Sequence, residues 1–194
     1  YHALSQFPGY EFFYVAQSAG PISDGGATII EAQKSISEVS EVDILVVPGG
    51  LPAITMARAG DPLIDWIAKI HPTTEWTISV CTGALMLGAA GVLNGIPATT
   101  HWYSHTELAD YGALAKDDRV VESGKVMTAA GVSAGIDMSL VLAERIFGRA
   151  FAEKMQLDME YDPKPPFNAG HPRSAPSSVV AELRLLFDSV LKRD

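Results

Sequence analysis

Residues 42–50, VDILVVPGG, constrain the fold of this chain more than any other stretch. The run from Val42 to Val47 is apolar almost without a break, which is typical of a central parallel strand that is buried on both faces. It ends in a proline followed by Gly49 and Gly50, and ligand crevices in open parallel sheets lie beyond such carboxyl ends. The stretch therefore predicts a buried parallel sheet with a candidate binding edge at the two glycines.

Short β-like runs alternate with longer helical patterns along the rest of the chain. The predicted strands are 11–17, 42–47 and 77–80, the predicted hairpin is 119–128, and the predicted helices are 60–71, 82–93, 133–147 and 178–193. Asp61 and Pro62 suit an N-cap and a first helical position, and the proline-rich run 161–176 predicts an extended arm. This alternation predicts an α/β fold with a mainly parallel central sheet and helices on both faces, in one domain over residues 1–194.

The net charge, the length of the apolar runs and the cysteine count indicate which partners and which location to expect. The chain carries a formal net charge of −9, and an acidic protein is poorly suited to phosphate backbones or anionic membrane surfaces, so neither nucleic acid nor membrane is expected. No apolar run reaches the length of about 18 residues that a membrane span needs. The single cysteine makes no internal disulfide, which favours a reducing, cytoplasmic location.

That cysteine, Cys81, lies where a strand-like run gives way to a helix-like run. A free cysteine is most often a small buried hydrophobic residue. A side chain on a tight strand-to-helix turn is instead raised above the edge of the sheet, and Gly83 permits such a turn. The helix N-terminus lowers the pKa of a thiol, and free N–H groups at Gly49 and Gly50 would hold a developing negative charge. We therefore interpret Cys81 as a nucleophile.

Three segments carry a resemblance to a known family: VVPGG at 46–50, the stretch from SVCTGA to ATTHW at 79–102, and AAGVSAGIDMSLVL at 129–142. Together they resemble the ThiJ/PfpI superfamily with its class I glutamine amidotransferase-like fold. The resemblance spans nearly the whole chain and implies a flavodoxin-like three-layer sandwich. Because relatives are commonly homodimers, it also implies a homodimer.

Within that superfamily, SVCTGA followed by ATTHW is similar to two groups, the isonitrile hydratases and the ligand-sensing domains of AraC-type transcription regulators. The tail at 156–176 is similar to the hydratase type. This resemblance implies a hydro-lyase that adds water to a small-molecule isonitrile and yields an N-substituted formamide, with no cofactor and no metal. The regulatory domain is the alternative, and another cysteine-dependent hydrolase or a redox sensor is a further one.

The resemblance also implies roles for individual residues. Cys81 is the catalytic nucleophile, and Thr82 stands at the family position whose hydroxyl orients substrate or water, although a first-turn threonine that caps N–H groups is an equal interpretation. Family members carry an acid on the segment after the first strand, where it transfers the proton in the hydratases. We expect that strand and its acid to lie before Tyr1. Asp24 and Asp137 are alternatives within the chain, each with an ordinary cap or turn role.

Four further positions belong to the candidate site or its surroundings. His101, in TTHW, either polarises the site or satisfies a hydrogen bond in the core. His101 and His105 have the spacing of two zinc ligands on one helical face, but no third ligand accompanies them, so we expect packing. Gly131 and Val132 are expected to line the substrate pocket.

PfpI-like peptidases and glyoxalases usually have histidine where this chain has Thr82, which disfavours those activities.

Overall fold

The computed structural model describes residues 1–23 and 26–191. The strands are β1 (Val15–Ala16), β2 (Gly20–Ser23), β3 (Ile29–Ala32), β4 (Lys34–Ser35), β5 (Ile44–Val47), β6 (Trp76–Val80), β7 (Pro97–Ala98), β8 (Leu114–Ala115), β9 (Val120–Ser123) and β10 (Val126–Ala129). The helices are α1 (Leu51–Ala59), α2 (Pro62–Ile70), α3 (Gly83–Ala89), α4 (His105–Asp110), α5 (Ala134–Phe147), α6 (Arg149–Asp158) and α7 (Ser177–Leu191). Over these residues, no helix is both long enough and apolar enough to cross a bilayer.

The central sheet has the strand order β5-β6-β10-β9 among the described residues, so β5 lies at one edge and the prediction that it is a central strand is wrong. Its apolar run reflects the cores on its two faces, which an edge strand covered by helices also has. Strands β5, β6 and β10 are parallel, and β9 is antiparallel to β10. Alternate residues of β5 enter opposite cores: Leu45 and Val47 lie in the core beside α1, α2 and α3, while Ile44 and Val46 pack against the core beside α5 and α6. The architecture is a three-layer α/β sandwich, as the alternation of elements predicted.

Several elements follow the sequence pattern closely. The predicted second helix forms as α2, and its N-cap Asp61 accepts a hydrogen bond from the Leu63 N–H at 2.9 Å. The predicted hairpin forms as β9 and β10, and the helix expected at 133–147 forms as α5. The last helix forms as α7, and the part of its prediction beyond Leu191 lies outside the described residues.

Two predicted elements are shorter than expected. The strand predicted at 11–17 is reduced to β1, which pairs with β4 outside the central sheet, because the preceding Tyr14 N–H donates instead to the Gln33 side chain at 2.6 Å. The helix predicted at 82–93 ends at Ala89, because the Val92 N–H turns back to the Leu87 carbonyl at 3.0 Å.

The sequence pattern missed helices α1, α4 and α6, the antiparallel pair β2 and β3, and the short strands β4, β7 and β8. Helix α1 matters most for the site, because it begins directly after Gly50 and so fixes the chain that leaves β5. The proline-rich run between α6 and α7 contains no helix or strand over its described length, as predicted. Two hydrogen bonds fix this run to the rest of the chain. Tyr161 bonds to Asp137, and His171 bonds to Asp117.

Candidate active site

Cys81 occupies the turn between β6 and α3, at the edge where the parallel strands end. Its backbone φ is +58°, and Glu160 is the other non-glycine residue with a positive φ in the described part of the chain. This conformation is costly for a side-chain-bearing residue and is found mostly where surrounding contacts enforce it. The Cys81 N–H donates to the Ala129 carbonyl at 3.0 Å, which fastens the turn to the end of β10. The thiol is half-buried at the predicted elbow.

Two glycines at and beside the turn, Gly49 and Gly83, leave no space for a side chain. A Cβ on Gly49 would lie 2.7 Å from the Cys81 Cβ and 2.8 Å from the Thr82 nitrogen. A Cβ on Gly83 would lie 2.7 Å from the Pro48 carbonyl oxygen. Backbone atoms cannot move away from such contacts cheaply, so both glycines are needed for the end of β5 to lie against the elbow.

Thr82 joins the elbow to the loop after β5. Its hydroxyl donates to the Gly50 carbonyl at 2.8 Å and accepts from the Gly50 N–H at 2.9 Å. The side chain is 5% exposed and makes no hydrogen bond that caps α3. The capping interpretation is therefore wrong, and this hydroxyl is occupied by the protein. The expectation that the Gly50 N–H is free for a developing charge is also wrong, because Thr82 takes it.

Burial raises the pKa of the Cys81 thiol above its ordinary value, and contacts from Thr82 offset this only in part. The hydroxyl proton of Thr82 is directed to Gly50, so the Thr82 N–H is the better donor to the sulfur. The prediction of a lowered thiol pKa is therefore wrong in its net direction, although the contacts that Thr82 makes in the turn do lower the pKa. Desolvation, which the sequence does not reveal, outweighs the hydrogen bonds that favour the thiolate.

Two residues that the sequence interpretation did not place at the site support the elbow from behind. The Thr100 hydroxyl donates to the Cys81 carbonyl at 2.9 Å, and His105 Nε2 contacts the Thr100 carbonyl at 3.2 Å. Nothing in the sequence distinguishes Thr100 from its neighbour Thr99, so no signal was available for this role. His105 was considered as a metal ligand and was expected to pack, and neither interpretation includes its contact with Thr100.

The loop between β10 and α5 is more open than the loop after β5. A Cβ on Gly131 would meet only the His101 ring, at 3.8 Å, and Val132 is 81% exposed. The His101 ring packs edge-on against Phe187 of α7, with ring centroids 5.7 Å apart. Burial, with a smaller contribution from His105, lowers the pKa of His101, so its imidazole is neutral near pH 7. The 3.8 Å approach of the His101 ring to Gly131 shows that these two predicted site residues lie together.

The carboxylates considered as acids have other surroundings. Asp137 pairs with Arg119 at 2.5 Å and accepts a hydrogen bond from the Tyr161 hydroxyl at 3.2 Å, which gives it a structural tie at the start of α5. Asp24 lies outside the described residues. Within residues 1–23 and 26–191, no group of three His, Cys, Asp or Glu side chains is arranged to hold a metal ion.

Comparison with known proteins gives consistent relatives. A family model described as the DJ-1/PfpI family matches residues 1–145. An isonitrile hydratase from Pseudomonas putida is 36% identical over 184 residues, which cover 95% of this chain and 80% of the relative. The HTH-type transcriptional regulator CdhR from Pseudomonas aeruginosa is 26% identical over 146 residues, which cover 74% of this chain and 43% of the regulator.

Among solved structures, a ThiJ/PfpI family protein from Pseudomonas syringae has a TM-score of 0.91 and 32% sequence identity. The match covers 98% of this chain and 79% of that protein. The similarity therefore includes the elbow, the sheet and the arm that follows α6.

Proposed function

This chain belongs to the DJ-1/PfpI family, and we propose that within that family it is an isonitrile hydratase, which adds water to R–N≡C to give an N-substituted formamide. The observation that carries the proposal is Cys81, a half-buried thiol on a strained strand-to-helix turn at the carboxyl edge of a parallel sheet. The similarity to the Pseudomonas putida hydratase over 95% of the chain supports the choice of substrate class.

In the first proposed step, the Cys81 sulfur bonds to the terminal carbon of the isonitrile. A proton passes to the same carbon, which gives a thioimidate, R–N=CH–S–Cys81. The raised pKa of Cys81 suits this step, because a thiol that keeps its proton carries the proton that the carbon must gain. The thioimidate contains all atoms of the thiol and of the isonitrile.

In the second step, water attacks the thioimidate carbon, the nitrogen takes a proton, and the carbon–sulfur bond breaks. The product is R–NH–CHO, and sulfur leaves as the thiolate before it is protonated again. The Thr82 N–H is the donor that favours this thiolate. Gly49 adjoins Cys81, and no hydrogen bond of its N–H is found among the described residues, so it is a second donor for charge on the adduct.

The transfer of protons requires an acid that also acts as a base. Asp137 is tied to Arg119 and Tyr161, and we do not assign this role to it. In the hydratases that this chain resembles, an acidic residue on the segment after the first strand transfers the proton. Thr82 acts in this proposal through its backbone N–H, while its hydroxyl holds Gly50 in place.

The test is formamide formation from cyclohexyl isocyanide by the protein expressed from its complete gene. We expect turnover by the wild type and background rates for Cys81→Ala, whose fold is checked by its thermal transition. Leu157→Ser is the control, because Leu157 is 80% exposed on α6 and belongs to neither loop beside Cys81. Absence of formamide from folded wild-type protein across several isonitriles would overturn the proposal.

A second candidate is a ligand-sensing domain that binds an electrophile without turnover. The match to 43% of the regulator CdhR favours it, because the shared part is a domain and not the whole regulator. Calorimetric binding of cyclohexyl isocyanide without formamide release would support this function. Turnover would exclude it as the main role.

A further inference from the structure

We propose that Thr100 is a positioning residue, whose hydroxyl holds the Cys81 carbonyl and keeps the nucleophile in its strained turn, and that His105 holds Thr100 in place. The role of Cys81 as a nucleophile rests on the proposed function. The network itself consists of two contacts, and it joins α4 to the turn after β6.

The strain at Cys81 explains why a second restraint is needed. A residue with φ of +58° relaxes to a negative φ unless its peptide groups are held. The N–H of Cys81 is held by the Ala129 carbonyl at 3.0 Å. Its carbonyl receives the Thr100 hydroxyl at 2.9 Å and only a long contact, 3.4 Å, from the Ala84 N–H of α3. Thr100 is therefore the strongest restraint on the carbonyl side of the turn.

His105 completes the arrangement because its Nε2 meets an atom that can only accept. The Thr100 carbonyl has no proton, so the 3.2 Å contact requires the His105 tautomer that carries its proton on Nε2. His105 is half-buried at the first position of α4, and burial favours its neutral form. The helix thus holds the backbone of Thr100 while the side chain of Thr100 holds Cys81.

The neighbouring threonine provides a matched control. Thr99 and Thr100 are both 0% exposed. The Thr99 hydroxyl has no hydrogen-bond partner among the described residues, and its N–H donates to the Thr128 hydroxyl at 2.8 Å. Replacing Thr99 by valine removes a hydroxyl from the same buried segment without removing a bond to the elbow.

The experiment compares Thr100→Val, Thr99→Val, Thr100→Ser and His105→Phe in the full-length protein. The main measurement is the second-order rate constant for alkylation of Cys81 by iodoacetamide, which is unambiguous because the chain has one cysteine. Formamide production from cyclohexyl isocyanide supplies kcat and KM, and thermal denaturation checks the fold of each variant.

In Thr100→Val, we expect alkylation and kcat to fall about tenfold while KM stays within about twofold, as for loss of one buried hydrogen bond at the nucleophile. Thr100→Ser keeps the hydroxyl and should stay within about threefold of wild type, and Thr99→Val within about twofold. An alkylation rate in folded Thr100→Val that equals or exceeds the rate in Thr99→Val would overturn the proposal.

If Thr100→Val does not fold, His105→Phe decides the question. Losing the support of the Thr100 carbonyl should slow alkylation about threefold, and an unchanged rate would contradict the network. Alkylation needs no isonitrile, so the two proposals fail separately. A wild type without hydratase activity whose alkylation still depends on Thr100 would refute the substrate and retain the positioning role.

Discussion

The two loops that flank the end of β6 differ sharply. The loop at Gly49 and Gly50 lies against the elbow so closely that a Cβ on Gly49 would be 2.7 Å from the Cβ of Cys81. The loop at Gly131 and Val132 is open, because a Cβ on Gly131 would meet nothing nearer than His101 at 3.8 Å. The first loop was expected to hold a developing charge and the second to line the substrate pocket, yet only the first is built into the turn that holds Cys81.

The difference predicts two roles for loops at the same edge of the sheet. Changes on the closed side should alter the position of Cys81 and the stability of the fold together. Changes on the open side should leave the nucleophile in place and alter which substrate fits. Substitutions in the two loops that change fold stability and Cys81 reactivity to the same extent would contradict this distinction.

The largest effect is expected for Gly83→Ala. The added Cβ would lie 2.7 Å from the Pro48 carbonyl oxygen, and the backbone must shift to relieve the contact. We expect a loss of about 3 kcal/mol in the free energy of unfolding, measured by urea denaturation, and loss of hydration activity. Gly131→Ala is the control on the open side, and an equal loss there would remove the distinction between the two loops.

Gly50→Ala should have an intermediate effect. Gly50 has a φ of +132°, which a residue with a Cβ adopts only at a cost of about 1 to 3 kcal/mol. The shift also disturbs its two hydrogen bonds with Thr82. Urea denaturation should give the stability loss, and the alkylation rate of Cys81 should fall with it. Unaltered thiol reactivity in a destabilised variant would show that this loop does not position the nucleophile.

The open side should respond to pH through His101. Burial and then His105 lower its pKa below the ordinary value of 6.5, so the unfolded chain takes up this proton first as the pH falls. The stability contribution is complete above pH 6.5 and is lost as the pH falls through the lowered value. The midpoint temperature of thermal denaturation should decrease as the pH is lowered from 7 to 5. The decrease should be less steep in His101→Asn. Equal slopes would contradict the burial of a neutral His101.

The smallest effect on stability is expected for Val132→Ser. The side chain is 81% exposed, so the free energy of unfolding should change by less than about 0.5 kcal/mol. We expect KM for a bulky isonitrile to change while the alkylation rate of Cys81 does not. Steady-state kinetics and the alkylation rate, measured on one preparation, provide the check. A large fall in the alkylation rate would show that the loop at Val132 does help to position Cys81.

Local sequence signals were sufficient for the elements with clear periodicity or caps. The apolar run of β5, the Asp61 cap of α2 and the strand-to-helix turn at Cys81 were predictable because their causes lie within a few residues. The contacts that shape the site are not local. The bond from Thr82 to Gly50 spans 32 positions, and that from Thr100 to Cys81 spans 19.

The direction of the pKa shift at Cys81 was unpredictable for the same reason. A turn next to a helix N-terminus favours the thiolate, but burial depends on the elements that pack around the turn. The expected free N–H of Gly50 was lost to a hydroxyl whose direction the sequence does not encode locally. The sequence therefore located Cys81 at the strand-to-helix turn but not the network of contacts that holds it.

The most direct test of the central claim is a rapid-quench measurement on the full-length protein mixed with cyclohexyl isocyanide. We expect a mass increase of one isonitrile on the peptide that contains Cys81, together with formamide release that disappears in Cys81→Ala. Formamide release by Cys81→Ala at the wild-type rate would contradict it.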